Sequence, residues 1–281
     1  MWTKCEPASH NINQIYRFMQ FKPFLIFVLL FSFSCNNNAG SANRKNKFDK
    51  TIAFSNPGDN PYAHIANIPL PAGFERESYD PNSFGAYLRN IELKKDKTVY
   101  LFNGLPKYNQ SAQFAVLNIS VGNKDLQQCA DAVMRLRAEF FFAQQKFDQL
   151  IFYDNNNTSY RFLPPYTRDN FTNYLDRVFS MCGSASLSKQ LKHVDDLSTI
   201  QPGDVIIRGG FPGHAVMVMD VAVNKAGKKI YLLAQGFMPA QDIHVLRNLQ
   251  NEELSPWYEV NYSELIQTPE YTFYRNELKR W

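Results

Sequence analysis

Several chemistries are missing from this chain of 281 residues, and each absence narrows what it can do. Its five histidines and four cysteines form no H-x-x-x-H and no C-x-x-C pair, so no metal-ligand spacing is present and no metal or other cofactor is expected. No glycine-rich phosphate loop appears either. The net charge is only +4, and the 30 basic residues are spread along the chain rather than bunched with aromatics, which sets nucleic acid aside as a partner. No internal repeat or low-complexity linker interrupts the sequence beyond Asn60. The one long apolar run, inside Phe21 to Cys35, covers roughly a dozen residues, too few for a stable membrane span.

That run is laid out differently. F-K-P-F-L-I-F-V-L-L-F-S-F-S-C is a lysine, an apolar stretch and then small residues before a cysteine, the layout of a signal peptide over residues 1–35. Its end, F-S-F-S-C, resembles the lipobox of bacterial lipoproteins, which implies lipidation of Cys35 and a membrane anchor there. A plain secretory peptide or a buried apolar segment is the alternative. Met19 is the expected start, because residues 1–18 are polar and unlike a leader. Residues 36–59 read as a polar tether. No acidic run follows Cys35, so the expected location is the outer membrane of a cell envelope, facing the periplasm. With Cys5 outside the translated chain and Cys35 lipidated, Cys129 and Cys182 remain. They form either a disulfide or one reactive and one buried thiol.

Residues 60–281 read as a single α+β domain, with a β-rich part at 60–122 and a second part at 123–281. Thr98 to Gly104 and Gln113 to Gly122 have strand composition. Asp125 and Gln128 fit a capping box, and Cys129, Val133, Leu136, Phe140, Ala143 and Phe147 then recur at helical spacing. A second helix is expected from Arg168 to Cys182, closed by Gly183. Val216 to Val223 and Ile230 to Gln235 form a hairpin across N-K-A-G-K-K. Pro202 and Gly203 of P-G-D-V make a turn, with Asp204 bonding the backbone around it. The charges Asp131, Arg135, Arg137 and Glu139 flank the helical stripe, and the pair Asp131 and Arg135 reads as surface support.

A thiol nucleophile needs a thiolate near neutral pH, a base within reach and donors for the developing oxyanion. Cys129 at a helix start offers the first, and the Gln128 amide offers an oxyanion donor. His214, opening a strand in G-F-P-G-H-A-V-M-V, is the available base. Cys129 also suits a small buried hydrophobe, and His214 a structural strand end. Alternation puts His214, Val216, Val218 and Asp220 on one face. A turn at Ala226 and Gly227 would set Gln235 four residues from His214, about 13 Å away, so Gln235 orients the imidazole only if a bulge intervenes. Gln241, Asp242 and His244 stand behind it as alternatives.

Q-C at a helix start, then P-G-D-V, then G-H-A-V-M-V resembles the papain-like cell-wall cysteine amidases and peptidases of the CHAP and NlpC/P60 families, over Asp125 to Gln235. That resemblance implies a cysteine-bearing helix packed on an antiparallel sheet. It also implies Cys129 as nucleophile, His214 as base, Gln235 as orienting residue, and peptide stems of peptidoglycan as substrate. The alternative is a non-enzymatic lipoprotein that binds an envelope polymer or protein on the same scaffold. Across Tyr62 to Trp281, N-K-D-L-Q-Q-C-A-D-A-V-M-R-L-R-A-E, P-G-H-A-V and L-L-A-Q-G-F-M-P-A-Q are similar to Bacteroidetes lipoproteins of the domain of unknown function 4846.

Overall fold

Residues 57–281 are described by a computed structural model. The signal peptide, Cys35 and nearly all of the tether lie outside the described residues. Among the described residues, no helix is long and apolar enough to cross a membrane.

In chain order the elements are β1 (Phe74–Arg76), α1 (Phe84–Arg89), β2 (Gln113–Val116), α2 (Cys129–Ala143), β3 (Ile151–Tyr153), β4 (Ser159–Arg161), α3 (Arg168–Met181), α4 (Ser184–Gln190), β5 (Lys192–His193), β6 (Val205–Arg208), β7 (His214–Asn224), β8 (Lys229–Gln235), β9 (His244–Leu246), β10 (Tyr258–Glu259), β11 (Leu265–Gln267), β12 (Thr272–Tyr274) and β13 (Leu278–Arg280). The main sheet runs β2-β9-β8-β7-β6-β13-β5, with β1 added to β7 and β10 to β8, and these pairings are antiparallel. The architecture is therefore mixed α/β with a mostly antiparallel sheet. Strand β7 is long enough to hold two neighbours on one edge, β6 along its first residues and β1 along its last.

The two faces of β7 are covered differently. On one, α2 lays Val133, Met134 and Leu136 against Ala215, Met217 and Met219, each such side chain contributing about 1.5–3 kcal/mol by leaving water. On the other, Val216 and Val218 meet Leu233 of β8 and Phe273 of the β11-β12 hairpin.

Some local expectations shift. Helix α2 begins four residues after Asp125, because the N–H of Gln128 is taken by the Asp131 carboxylate (3.0 Å), while Asp125 accepts from Ala240 N–H (2.7 Å). Thr98 to Gly104 forms only isolated bridges, at Tyr100 and Leu101. There Tyr100 N–H donates to the Asp242 carboxylate (3.1 Å), not to a strand, and Gly104 turns the chain at φ +80°. In P-G-D-V, Gly203 has φ +90°, and Asp204 accepts the Gln201 N–H (3.0 Å) and the Arg280 guanidinium. Asp131 and Arg135 are not a surface pair: Asp131 is buried, and Arg135 turns to Glu139 (2.7 Å).

Candidate functional site

Backbone contacts that tolerate no side chain bring three distant segments together. A Cβ on Gly236, just past β8, would sit 2.9 Å from the Gln128 carbonyl oxygen, so the end of β8 touches the start of α2. A Cβ on Gly213 would sit 2.3 Å from Ser184 Oγ and 2.5 Å from Gly210 O, which is why a glycine precedes the histidine. Cys129 is thereby held against the first peptide of β7, its thiol facing the N–H groups of Ala130 and Ala215. The residue before Ala215 is His214, but its ring lies on the opposite face of β7, against Phe237, Tyr271 and Phe273, and does not line the Cys129 groove, so the two side chains expected to react together are not brought together.

Gln235 does reach His214. Its Oε1 lies 2.8 Å from His214 Nε2. The register is Met217 against Ala234, and it shifts by one residue between Val218 and Asp220. Continued toward the strand start, it sets Gln235 beside Val216, two residues from His214, about 7 Å along the strand instead of 13 Å. The same bulge turns Asp220 away from His214, onto Arg76 (2.7 Å) and Arg89. Asp220 thus leaves the face that alternation assigned to it.

Hydrogen-bond donors and acceptors then decide the imidazole's tautomer. The Glu270 carboxylate is held by Lys107 Nζ (2.5 Å) and only accepts, so the Gln235 group facing it at 2.7 Å is the amide nitrogen. Gln235 Oε1 must therefore accept from His214, which places the proton on Nε2 and leaves the lone pair on Nδ1. The second Gln235 amide hydrogen points at His244 Nε2 (3.3 Å), and His244 Nδ1 donates to Asp242 O (2.9 Å). Phe237, Tyr271 and Phe273 pack around the His214 ring, with centroids 5.0, 5.0 and 5.7 Å away. Burial in this box pulls the His214 pKa down to about 4 and that of His244 to about 3, and the Gln235 bond and Glu270 charge only partly oppose it for His214.

The thiol side is less completely bonded. Cys129 is 9 % exposed and lines a groove of about 450 Å³ with Gln128, Asp131, Cys182, Ser184 and Gly213, and with Phe211 and Met238 exposed at its rim. Burial raises the Cys129 pKa above that of an ordinary thiol, outweighing the N–H groups of Ala130 and Ala215, and the Asp131 carboxyl pushes it the same way. The lowered thiol pKa expected from the helix start is thus reversed by desolvation. Asp131 is itself raised well above a normal carboxylate by burial, and its Oδ1 has no partner. Cys182 is pushed to about 12, again by burial. Cys129 and Cys182 are both free, so no disulfide joins them.

The Gln128 amide donates to Asp125 (3.1 Å) rather than standing ready for an oxyanion. Gln241 is buried with both amide atoms unpartnered, and Asp242 holds Lys94 (2.9 Å). Glu270, Lys107, Tyr271 and Phe273 were not legible as site residues: the first three come from irregular segments and Phe273 from the short strand β12, all far from β7 in sequence and without a motif. The signal that could have found Glu270 is the orphan amide nitrogen that a Gln235 bonded to His214 would otherwise leave buried. Among the described residues no cluster of histidine, cysteine and carboxylate side chains could hold a metal ion.

No curated protein and no solved structure matches this chain. The family described as "Domain of unknown function (4846)" matches residues 65–164 and 154–280, which together span most of the sequence, and the chain belongs to that family.

Proposed function

We propose that this protein is a papain-like cysteine amidase or peptidase of the cell envelope, anchored by a lipid at Cys35 and acting on peptide bonds of cell-wall stem peptides. The observation that carries the reading is the Cys129 thiol at the start of α2, open to a groove of about 450 Å³ and facing the N–H groups of Ala130 and Ala215. In the first half-reaction sulfur attacks the amide carbonyl and the Cys129 proton is transferred to the leaving nitrogen. The C–N bond breaks, the proton leaves with the amine, and a thioester remains. Water then attacks the thioester, releasing a carboxylic acid and restoring the thiol. The backbone N–H groups at the start of α2 are the available oxyanion donors, since Gln128 is engaged with Asp125.

The burial that keeps Cys129 protonated favours a second reading, a non-catalytic domain that binds such peptides in the same groove. Incubating the purified protein with isolated stem peptides separates the two. Cleavage abolished by Cys129→Ala supports the hydrolase; binding without cleavage, unchanged in that variant, establishes the binding protein.

A further inference from the structure

A second cavity, of about 570 Å³, opens farther along α2 and is not used by the reaction proposed above. Arg137 lines it, between the rings of Trp281 (4.1 Å to the centroid) and Phe141 (4.7 Å). Six other arginines, Arg76, Arg89, Arg135, Arg168, Arg208 and Arg280, are paired with carboxylates. Among the described residues the Arg137 guanidinium has neither an ion pair nor a hydrogen bond, only the two rings. Its surroundings are dry enough to pull its pKa down to about 10. The ring N–H of Trp281 is likewise buried without a partner.

The other charged side chains on this cavity are Lys189 and Asp154. Asp154 is consumed by its own turn, accepting the N–H groups of Asn156 (2.8 Å) and Thr158 (2.9 Å) and the Tyr160 hydroxyl (3.2 Å), so it does not pair with Arg137. A guanidinium held between two rings keeps its N–H fork for a planar partner, and a carboxylate matches that fork.

The cavity adjoins the groove at Cys129. Asn155 lines both, and α4 lines one with Ser184 and the other with Ser186 and Lys189. Eight residues of helix separate Cys129 from Arg137, about 12 Å, which an extended peptide covers in three to four residues.

We propose that Arg137 is a carboxylate-recognition residue, receiving the free carboxylate of a short peptide whose chain runs along α4 toward Cys129; the position of the scissile bond rests on the hydrolase reading, but the carboxylate site does not. The test is calorimetric titration of the Cys129→Ala chain with N-acetylated tetraalanine as free acid and as C-terminal amide. The acid should bind about tenfold more tightly, a difference that Arg137→Gln abolishes and Arg137→Lys, which keeps charge without the fork, reduces. Equal binding of acid and amide to the parent chain, which needs no variant to fold, would overturn the site. So would a preserved preference in a folded Arg137→Gln chain, or displacement of the acid by inorganic phosphate more readily than by acetate. A wild-type protein that prefers the acid yet never cleaves keeps this site and removes the hydrolase; one that cleaves acid and amide with equal KM does the reverse.

Discussion

The two faces of β7 handle polarity in opposite ways. Under the β11-β12 hairpin, Lys107, Glu270, Gln235, His214 and His244 form one chain of donors and acceptors, with a direction set by the lysine. Around α2, Asp131 Oδ1, the Gln127 amide nitrogen and the Trp281 N–H are buried without partners, and Arg137 is unpaired. A fully bonded network fixes one tautomer and one ring orientation, whereas unfilled donors and acceptors are places where a ligand can bind. The comparison separates a rigid, fully bonded side that holds His214 in place from an incomplete side that lines the Cys129 groove.

The largest test of that division removes the reacting group. Cys129→Ala should lower turnover of stem peptides by at least about a thousandfold, whereas His214→Ala, on the other face, should lower it far less. Thermal melting of Cys129→Ala should show a loss on the order of 1 kcal/mol, as for a small buried side chain. Equal losses of turnover in the two variants would break the division between the faces.

Next comes the network itself. Glu270→Gln should cost about 3 kcal/mol in chemical denaturation, because Lys107 is left buried without its partner. Its kcat should be little changed, since the network lies on the face away from Cys129, and a large loss of kcat would break the division.

The histidines predict a pH effect of definite sign. His214 and His244 titrate near 4 and 3 when folded and near 6.5 when unfolded, so between those values the unfolded chain binds more protons. Stability is then fully present above pH 6.5 and falls as pH drops, by about 2 kcal/mol per histidine between pH 7 and pH 5. Denaturation midpoints of the wild type and His244→Gln at the two pH values should show the variant losing less, and equal losses would contradict burial of a neutral His244.

Asp131 gives the smallest effect and the opposite sign. Its folded pKa is raised, so it favours folding most below the unfolded value near 3.9 and loses that advantage as pH rises through its folded value. Asp131→Asn, neutral at every pH, should match wild type in acid and be the more stable by about 1 kcal/mol at pH 8.

What could be read from the residues alone was whatever depends on local spacing. The apolar repeat from Cys129 to Phe140 located α2, and the apolar runs around N-K-A-G-K-K located β7 and β8. The start of α2 was misplaced because a distant backbone group, Ala240 N–H, claims the aspartate that would have capped it. Gln235 was named but set too far from His214, since a bulge has no residue signature of its own. The environment of Cys129 was misread most, because desolvation is a property of packing and no motif records it. Arg137 looked like one more charge beside a stripe; its lack of a counterion is visible only once the other carboxylates have found theirs.

The bulge in β7 also acts as a parity switch. Before it, even-numbered residues face the hairpin; after it, odd-numbered Val221 faces that way, and Asp220 and Ala222 face the helices. One strand therefore carries two reading frames, an ion-paired end clamped by Arg76 and Arg89 and a chemical end holding His214. Loss of Met219 alone would join the frames into an unbroken ladder and leave every other side chain on its present face, whereas loss of a single residue elsewhere in β7 would turn one end to the wrong face.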